Sequence, residues 1–296
     1  MTPRPPGHRD DQPGNRPPGL CRVLVMGVVN VTPDSFSDGG AFLAPAAAIA
    51  HGRALRAEGA DILDVGGEAT NPRATPVSVA EELARVLPVI EALAGDGATV
   101  SVDTTKAEVA RAAVLAGATI VNDVAGGLFD PAMVPTINDL SWARELTYIA
   151  GHLRGRSLAE VFAAERAPSW QEVAAELADR IAPLSPVARA RCWIDPGLGF
   201  GKGAAPEGNL ALIRHAGDIA TSVGRPIVIG ASRKRFLRRL LGEAAGPDPL
   251  ALDNDPLALD VASIAAHLAA VRAGALVVRT HNVALLRAAL AVYTKL

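Results

Sequence analysis

The chain has 296 residues, enough for one large α/β domain or two small ones with a substantial core. Hydrophobic residues make up 49% of the chain and aromatic residues only 4%, which predicts an aliphatic, helix-rich core. A formal net charge of -2 gives no basic field that would attract nucleic acid or an anionic membrane, so we expect a small-molecule partner.

The cysteines and the amino-terminal segment bear on compartment and domain organisation. The two cysteines, Cys21 and Cys192, are too few for a disulfide framework, and neither has a partner at metal-ligand spacing. We therefore expect reduced thiols in a cytoplasmic protein. Residues 1–20 are rich in proline and glycine and contain no apolar run, which predicts a disordered tail before a single domain over residues 21–296. The sequence nowhere approaches the roughly eighteen consecutive apolar residues of a membrane span.

After the tail, β-branched apolar runs alternate with stretches of helical periodicity. The predicted strands are Val23 to Val29, Asp61 to Val65, Thr99 to Val102, Thr119 to Val121, Thr147 to Ala150, Cys192 to Ile194, Pro226 to Ile229 and Leu276 to Val278. The predicted helices lie near residues 45–58, 79–95, 106–116, 131–144, 170–183, 207–222, 235–241, 256–273 and 283–294. This alternation predicts an α/β fold, a single-domain (β/α)8 TIM barrel, with an open doubly wound sheet as the competing architecture.

Two long connections interrupt the pattern, at residues 155–170 and 242–255. Both are predicted to be surface excursions that act as lids or as contacts between subunits.

Polar residues follow all eight predicted strands. In a barrel the carboxyl ends of the strands meet at one mouth, where active sites are found. Taken singly, each of these residues could cap a helix or form a turn, but together they predict a site. They are Asn30, Asp64, Glu68, Thr70, Asp103, Asn122, Asp123, His152, Arg154, Asp195, Lys202, Ser232, Arg233, Lys234, Arg279 and His281.

Two acids and an amide among them suit a flat heterocycle. Carboxylates such as Asp103 and Asp195 accept two parallel hydrogen bonds from a planar group with adjacent N–H donors, such as an aminopyrimidinone. Asn122 can both donate and accept beside them. Metal binding is the rival use of these three residues, although no histidine accompanies them.

The basic residues suit an anionic substituent on that ligand. Those that follow the last three strands are Lys202, Arg233, Lys234, Arg279 and His281. Such a cluster favours a phosphate or diphosphate, which Mg²⁺ held by Asn30 would also neutralise.

Two loops offer further contacts. Phe200 lies in a glycine-rich segment over residues 196–202, where it can stack on a flat ring or anchor the loop. The polar segment that contains Asp34 and Phe36 can fold over a ligand or form a simple turn.

Several segments together resemble dihydropteroate synthases, and they occur in family order. They are residues 27–40, 64–70, 101–104, 121–124, 195–202 and 230–234. The resemblance implies a barrel, usually dimeric, that joins 6-hydroxymethyl-7,8-dihydropterin diphosphate to p-aminobenzoate with Mg²⁺ and releases diphosphate.

The resemblance also implies roles for individual residues. The implied pterin ligands are Asp103, Asn122, Asp195 and Lys234. The residues around the diphosphate are Asn30, which also places Mg²⁺, Thr70, Arg279 and His281. The p-aminobenzoate site takes Phe200, Ser232 and Lys234, and the loop with Asp34 and Phe36 closes over the site. The catalytic residues are then Asp103, Lys234, Arg279 and His281.

Two departures from the family pattern keep other interpretations open. Asn71 stands where the family usually has arginine, with Arg73 two residues later, and Asn282 stands where it usually has aspartate. A non-catalytic pterin-binding paralogue is one alternative. A methyltransferase that moves a methyl group from a folate to a corrinoid is another, although residues 232–234 and 34–40 favour the synthase.

Overall fold

The computed structural model describes residues 22–31, 43–70, 76–163, 166–203, 205–245 and 255–296. The predicted tail, Cys21, Asp34, Phe36, Asn71 and Arg73 lie outside these residues, so the expectations for them stay predictions. In the described part of the chain, no helix combines the length and the apolar character needed to cross a membrane.

Eight strands alternate with helices, as the sequence predicts. The strands are β1 (Leu24–Asn30), β2 (Ile62–Gly66), β3 (Val100–Asp103), β4 (Ile120–Asp123), β5 (Thr147–Gly151), β6 (Cys192–Asp195), β7 (Val228–Ile229) and β8 (Val277–Thr280). The helices are α1 (Leu43–Ala57), α2 (Val79–Gly95), α3 (Ala107–Leu115), α4 (Met133–Ala143), α5 (Leu158–Phe162), α6 (Trp170–Ile181), α7 (Pro186–Ala190), α8 (Glu207–Arg214), α9 (Ala216–Val223), α10 (Arg235–Ala245), α11 (Pro256–Arg272) and α12 (Val283–Tyr293).

The sheet closes on itself. Its strand order is β6-β5-β4-β3-β2-β1-β8-β7, and every pairing is parallel. A parallel bridge between Ile194 and Ile227 joins the two end strands, and the Ile194 amide donates to the Pro226 carbonyl at 2.9 Å. The (β/α)8 barrel is therefore confirmed, and the open doubly wound sheet is excluded because such a sheet keeps two free edges.

The number of helices differs from the prediction at three places in the chain. The helix expected over residues 207–222 is two helices, because His215 leaves helical geometry with φ -101° and ψ 20° and stacks on Trp170 at 5.0 Å between ring centroids. Two short helices are additional: α5 lies in the connection predicted over residues 155–170, and α7 lies in a segment for which no helix was predicted. Each begins at a serine, Ser157 or Ser185, whose hydroxyl accepts a hydrogen bond from a backbone amide of the first turn.

The interior of the barrel has an apolar floor. Six buried residues form it: Met26, Ile62, Ile120, Ile149, Val228 and Val277. Successive side chains along a strand point to opposite faces, so residues two positions beyond the floor point into the same interior. Those residues include Asp64, Asn122 and Arg279. The strand period therefore stacks a polar layer on the apolar floor, toward the carboxyl ends of the strands.

Candidate active site

An arginine between two carboxylates forms the centre of the barrel mouth. Arg279 Nε donates to Asp64 Oδ2 at 2.6 Å, and Arg279 Nη2 donates to Asp103 Oδ2 at 2.8 Å. Asn122 Nδ2 also donates to Asp64 Oδ2, at 3.0 Å. Four strands thus contribute one connected network, which matches the expectation that strand ends converge.

This network sets the charge of the site. Burial disfavours the Arg279 cation, but the carboxylates of Asp64 and Asp103 outweigh it and raise the pKa of Arg279. Burial raises the pKa of Asp103 to about 7, despite the opposing charge of Arg279. Asp103 therefore exchanges its proton close to neutral pH, whereas Arg279 stays charged.

Asp195 and Lys234 complete the charged part of the mouth. Asp195 ends β6, and its Oδ1 accepts a hydrogen bond from the Gly197 amide at 2.7 Å. Burial raises the pKa of Asp195, and the charge of Lys234 opposes that rise. Burial also lowers the pKa of Lys234 to about 8, against the attraction of Asp195 and Asp103. Each group responds to the other, so the two lie in one electrostatic environment.

Phe200 and Lys234 lie against each other. Lys234 Nζ lies 4.3 Å from the centroid of the Phe200 ring, within cation–π distance, and donates to the Leu198 carbonyl. The Phe200 side chain is buried and also contacts Phe162 at 6.0 Å between ring centroids. These contacts make Phe200 an anchor of its loop, one of the two uses predicted from the sequence, and its stacking on a ligand ring stays a prediction.

Ser232 and His281 form a second polar pair at the mouth. Ser232 Oγ lies 2.9 Å from His281 Nδ1 and accepts from the His281 backbone amide at 3.1 Å. Burial lowers the pKa of His281 to about 3, and the nearby charges of Arg279 and Arg233 lower it further. His281 is therefore a neutral imidazole at physiological pH.

Asn30 and Thr70 stand at the outer edge of the mouth. Asn30 is the last residue of β1, is exposed, and pairs in register with Gly66 of β2. Thr70 is partly exposed in the segment that follows β2. Asn30 offers one hard oxygen, and the described residues contain no cluster of three acids, histidines or cysteines that could hold a metal. One amide oxygen is consistent with Mg²⁺, which keeps most of its waters and binds substrate phosphates.

A partly buried salt bridge supports the segment that leads to Thr70. Lys106 Nζ contacts Glu68 Oε2 and Glu82 Oε2, each at 2.5 Å, and the Glu82 side chain is fully buried. Glu68 Oε1 accepts a hydrogen bond from the Val77 amide at 2.9 Å, nine residues along the chain. Glu68 therefore holds the base of this loop.

Two of the basic residues expected to bind phosphate are engaged elsewhere. Arg233 makes a two-point ion pair with Asp260, Nε to Oδ1 at 2.7 Å and Nη2 to Oδ2 at 3.0 Å. Within the described residues, Arg233 is the one non-glycine residue with a positive φ, at 57°, a strained value that the ion pair helps to hold. The structure assigns Arg233 to holding the turn between Ser232 and Lys234.

Lys202 is the other such residue. It is buried, and its Nζ donates to the Phe200 carbonyl at 2.9 Å and to the His152 carbonyl at 3.2 Å, and lies 3.0 Å from His152 Nδ1. His152 Nε2 in turn lies 2.9 Å from Glu176 Oε2. Because its contacts lead inward to the loop backbone, Lys202 holds the Phe200 loop and does not face a phosphate.

Asp64 has no specific predicted role, yet the structure places it at the centre of the network. A signal was present, because Asp64 interrupts the apolar run Ile62-Leu63-Asp64-Val65, and a fully buried acid needs a partner. Asp123, by contrast, belongs to the scaffold. Its carboxylate accepts from the Ala125 and Gly127 amides and from the Tyr148 hydroxyl at 2.9 Å.

Comparison with known proteins agrees with this geometry. Residues 26–281 match the family model described as pterin binding enzyme. The chain belongs to the pterin-binding enzyme family.

Relatives of this chain include dihydropteroate synthases. The chain is 46% identical to the one from Mycobacterium leprae over 77% of this chain and 78% of that protein. It is 37% identical to the Escherichia coli type-2 enzyme over 93% and 96%. Among solved structures, the Xanthomonas albilineans dihydropteroate synthase with 4-aminobenzoic acid has a TM-score of 0.79 at 41% identity, and its 7,8-dihydropteroate complex has 0.75 at 40%. Each covers 93% of both chains.

The buried position of Lys202 predicts a pH dependence of stability. Burial lowers the pKa of Lys202 to about 7 from 10.5, so between these values the unfolded chain binds the proton that the folded protein has lost. The free energy of unfolding therefore gains a contribution that rises with pH across this window, by up to about 1.4 kcal/mol per pH unit.

We expect Lys202→Met to remove this contribution, so that the variant gains less stability than the wild type between pH 7 and 9. Urea unfolding at several pH values measures the slope. Lys295→Met, which changes an exposed lysine, should keep the wild-type slope. Parallel curves for wild type and Lys202→Met would contradict the prediction.

Proposed function

We propose that this chain is a dihydropteroate synthase, which joins 6-hydroxymethyl-7,8-dihydropterin diphosphate to p-aminobenzoate and releases diphosphate. The observation that carries the proposal is the network of Asp64, Asp103, Asn122 and Arg279 in the mouth, close to Asp195 and Lys234. The names of the relatives, and the ligands in the titles of the related structures, support the same activity.

The carboxylates and the amide are proposed to bind the pterin. Asp195 and Asp103 accept N–H groups of the ring, and Asn122 donates to and accepts from its edge. Lys234 donates to a ring acceptor. Burial favours this arrangement, because hydrogen bonds to charged groups are stronger where water is excluded.

The same residues assist the reaction. Heterolysis of the bond between the methylene carbon and the diphosphate oxygen gives the oxygen the electron pair and leaves a cation delocalised over the dihydropterin. The carboxylate of Asp103 stabilises that cation electrostatically, while Arg279 and the neutral imidazole of His281 donate to the departing diphosphate. The arylamine then attacks the methylene carbon and loses a proton, so no protein nucleophile is required.

Phe200, Ser232 and Lys234 are proposed to line the p-aminobenzoate site. The Phe200 ring and the aliphatic part of Lys234 provide an apolar wall for the arene. The hydroxyl of Ser232, held by His281, provides a polar contact. Positioning and exclusion of water supply the remaining catalysis.

Mg²⁺ is proposed as the cofactor, held by Asn30 with the diphosphate near Thr70. When bound, the ion neutralises charge that develops on the diphosphate. Asn30 would provide one ligand oxygen to the ion, and Arg279 and His281 would contact the diphosphate from the protein.

We also propose a homodimer formed through α11. Leu257, Val261, Ile264 and Leu268 follow one another at spacings of four, three and four residues, which places them on one face of the helix. Leu257 is 64% exposed and Val261 56%. On a different side of α11, Ala262, Ala265, Ala266 and Ala269 line an apolar groove of about 340 Å³ together with α8 and α10. A second copy of the chain would cover the exposed face that contains Leu257 and Val261.

We further propose a cytoplasmic location, in which the buried thiol of Cys192 stays reduced.

The first prediction from this proposal is turnover that depends on Asp195. The purified protein should release diphosphate from dihydropterin diphosphate when p-aminobenzoate and Mg²⁺ are present. Asp195→Asn should weaken pterin binding by about tenfold or more, since it removes a charged acceptor of two hydrogen bonds. Calorimetry and diphosphate release measure the two effects, and Glu145→Gln, at a residue with a 93% exposed side chain, is the control.

No turnover with verified substrates would reject the synthase and favour the non-catalytic alternative. Unchanged pterin affinity in Asp195→Asn would reject the proposed role of Asp195.

The second prediction concerns the metal. Asn30→Ala should weaken binding of inorganic diphosphate roughly tenfold when Mg²⁺ is present, because one ligand of the ion is lost. Without Mg²⁺ the loss should be much smaller, because Asn30 is proposed to act on the diphosphate through the ion. Calorimetry with and without Mg²⁺ measures this difference. Asn138→Ala, the same change on the outer helix α4, should have no effect. An equal loss in both conditions would contradict a role in metal binding.

The third prediction concerns assembly. Val261→Glu should convert a dimer to a monomer, because a charge on the apolar face of α11 would be buried without a partner. Sedimentation velocity measures the mass. Leu115→Glu, at a residue 62% exposed on α3, should leave the dimer intact. A monomeric wild type, or a dimer unaffected by Val261→Glu, would contradict the proposal.

A further inference from the structure

Asp64 differs from the other acids of the mouth in its depth. Its side chain has no exposed surface, whereas that of Asp103 is 15% exposed. In the strand register, Asp64 pairs with Ser101 of β3, while Asp103 pairs with Gly66 of β2 and Asn122 of β4. Asp64 therefore lies two residues closer to the apolar floor than Asp103 and has no direct access to solvent.

From this position Asp64 contacts two of the proposed ligand-binding residues at once. Its Oδ2 accepts from Arg279 Nε at 2.6 Å and from Asn122 Nδ2 at 3.0 Å, while Oδ1 has no protein partner within the described residues. The guanidinium is planar, so bonds from Nε to Asp64 and from Nη2 to Asp103 fix its plane. The Asn122 contact likewise fixes which edge of the amide faces the ligand.

A buried acid in this place needs a reason beyond stability. Burying a carboxylate costs several kcal/mol, which a buried ion pair often only offsets, so an apolar residue would serve the core equally well. The carboxylate of Asp64 instead contacts Arg279 and Asn122, the two side chains whose orientation the proposed chemistry needs. We propose that Asp64 is a positioning residue that orients Arg279 and Asn122 from beneath the substrate. This inference rests on the roles proposed above for those two residues.

The charge of Asp64 also acts on Asp103. The charged groups that face Asp103 are Arg279 from β8, Asp64 from β2, Glu82 from α2 and Lys234 from the loop after β7. The charge of Asp64 raises the pKa of Asp103, and Asp64 also shares the Arg279 cation. Removing the charge of Asp64 therefore lowers the pKa of Asp103 in both ways. The proposed pterin site uses the ionised form of Asp103. The acid limb of the pH profile of kcat/KM should therefore move to lower pH.

Two substitutions separate charge from position. Asp64→Asn keeps the shape but removes the charge. It should lower kcat/KM for dihydropterin diphosphate by about 10- to 100-fold, the scale seen for residues that orient ligand-binding groups, and move the acid limb to lower pH. Asp64→Glu keeps the charge but displaces it, and should lower kcat with the acid limb close to its wild-type position. Both measurements use the full-length protein and refer rates to folded protein.

Ser101→Ala is the matched control. Ser101 is the buried register partner of Asp64 and its Oγ has no hydrogen-bond partner among the described residues, so its loss should leave rate and pH profile unchanged. A double-mutant cycle tests whether Asp64 acts through Arg279. The fold-loss of kcat/KM in the double variant Asp64→Asn, Arg279→Lys should be smaller than the product of the two single fold-losses.

The proposal fails if Asp64→Asn, per folded molecule, keeps the wild-type rate and acid limb, or if its effect adds fully to that of Arg279→Lys. If Asp64→Asn does not fold, a shifted acid limb in Asp64→Glu also overturns it. Wild-type activity in Arg279→Lys would instead refute the proposed role of Arg279, which keeps the two failures distinguishable.

Discussion

The mouth of this barrel depends on one constraint: charges that are buried together must compensate one another. Asp64 and Asp103 are like charges at close range, and each would be costly without Arg279 between them. Burial raises the pKa of Asp103 to about 7 and lowers that of Lys234 to about 8, and the opposite charges nearby limit both shifts. The pKa values of Asp103 and Lys234 therefore both lie close to neutral pH. Rearrangement of any member changes the protonation of the others.

The fold separates two uses of basic residues that look alike in the sequence. Arg279 and Lys234 face the site, whereas Lys202, Lys106 and Arg180 bind carbonyls or carboxylates behind it. Arg180, for example, donates to the carbonyls of Ala125, Gly151 and Leu153 at 3.0 to 3.2 Å. Such contacts hold loops whose own sequences are short and rich in glycine. The loops of the mouth are thus fixed from outside by partly or fully buried cations, while the strands fix the polar residues inside the mouth.

One departure from the family pattern acquires a structural reason. Asn282 caps α12 by accepting from the Leu285 amide at 3.0 Å, and its Nδ2 donates to Asp260 Oδ2 at 3.0 Å. An aspartate at position 282 would face the carboxylate of Asp260, which already pairs with Arg233. The amide of Asn282 therefore fits its local contacts with Asp260 and α12. Because these contacts explain the asparagine, its presence gives little support to a non-catalytic paralogue.

The sequence by itself determined the strand and helix alternation, the barrel and the group of strand-end residues around the mouth, because side-chain periodicity and turn chemistry are local properties. It also carried the family motifs that indicated the ligand. Only the tertiary structure decided which of these residues meet in the barrel mouth, because that depends on register between strands distant in the chain. Arg279 and Asp64 are 215 positions apart, and no local pattern links them. Register placed Asp64 at the centre of the site, and side-chain packing turned Lys202 and Arg233 toward the scaffold.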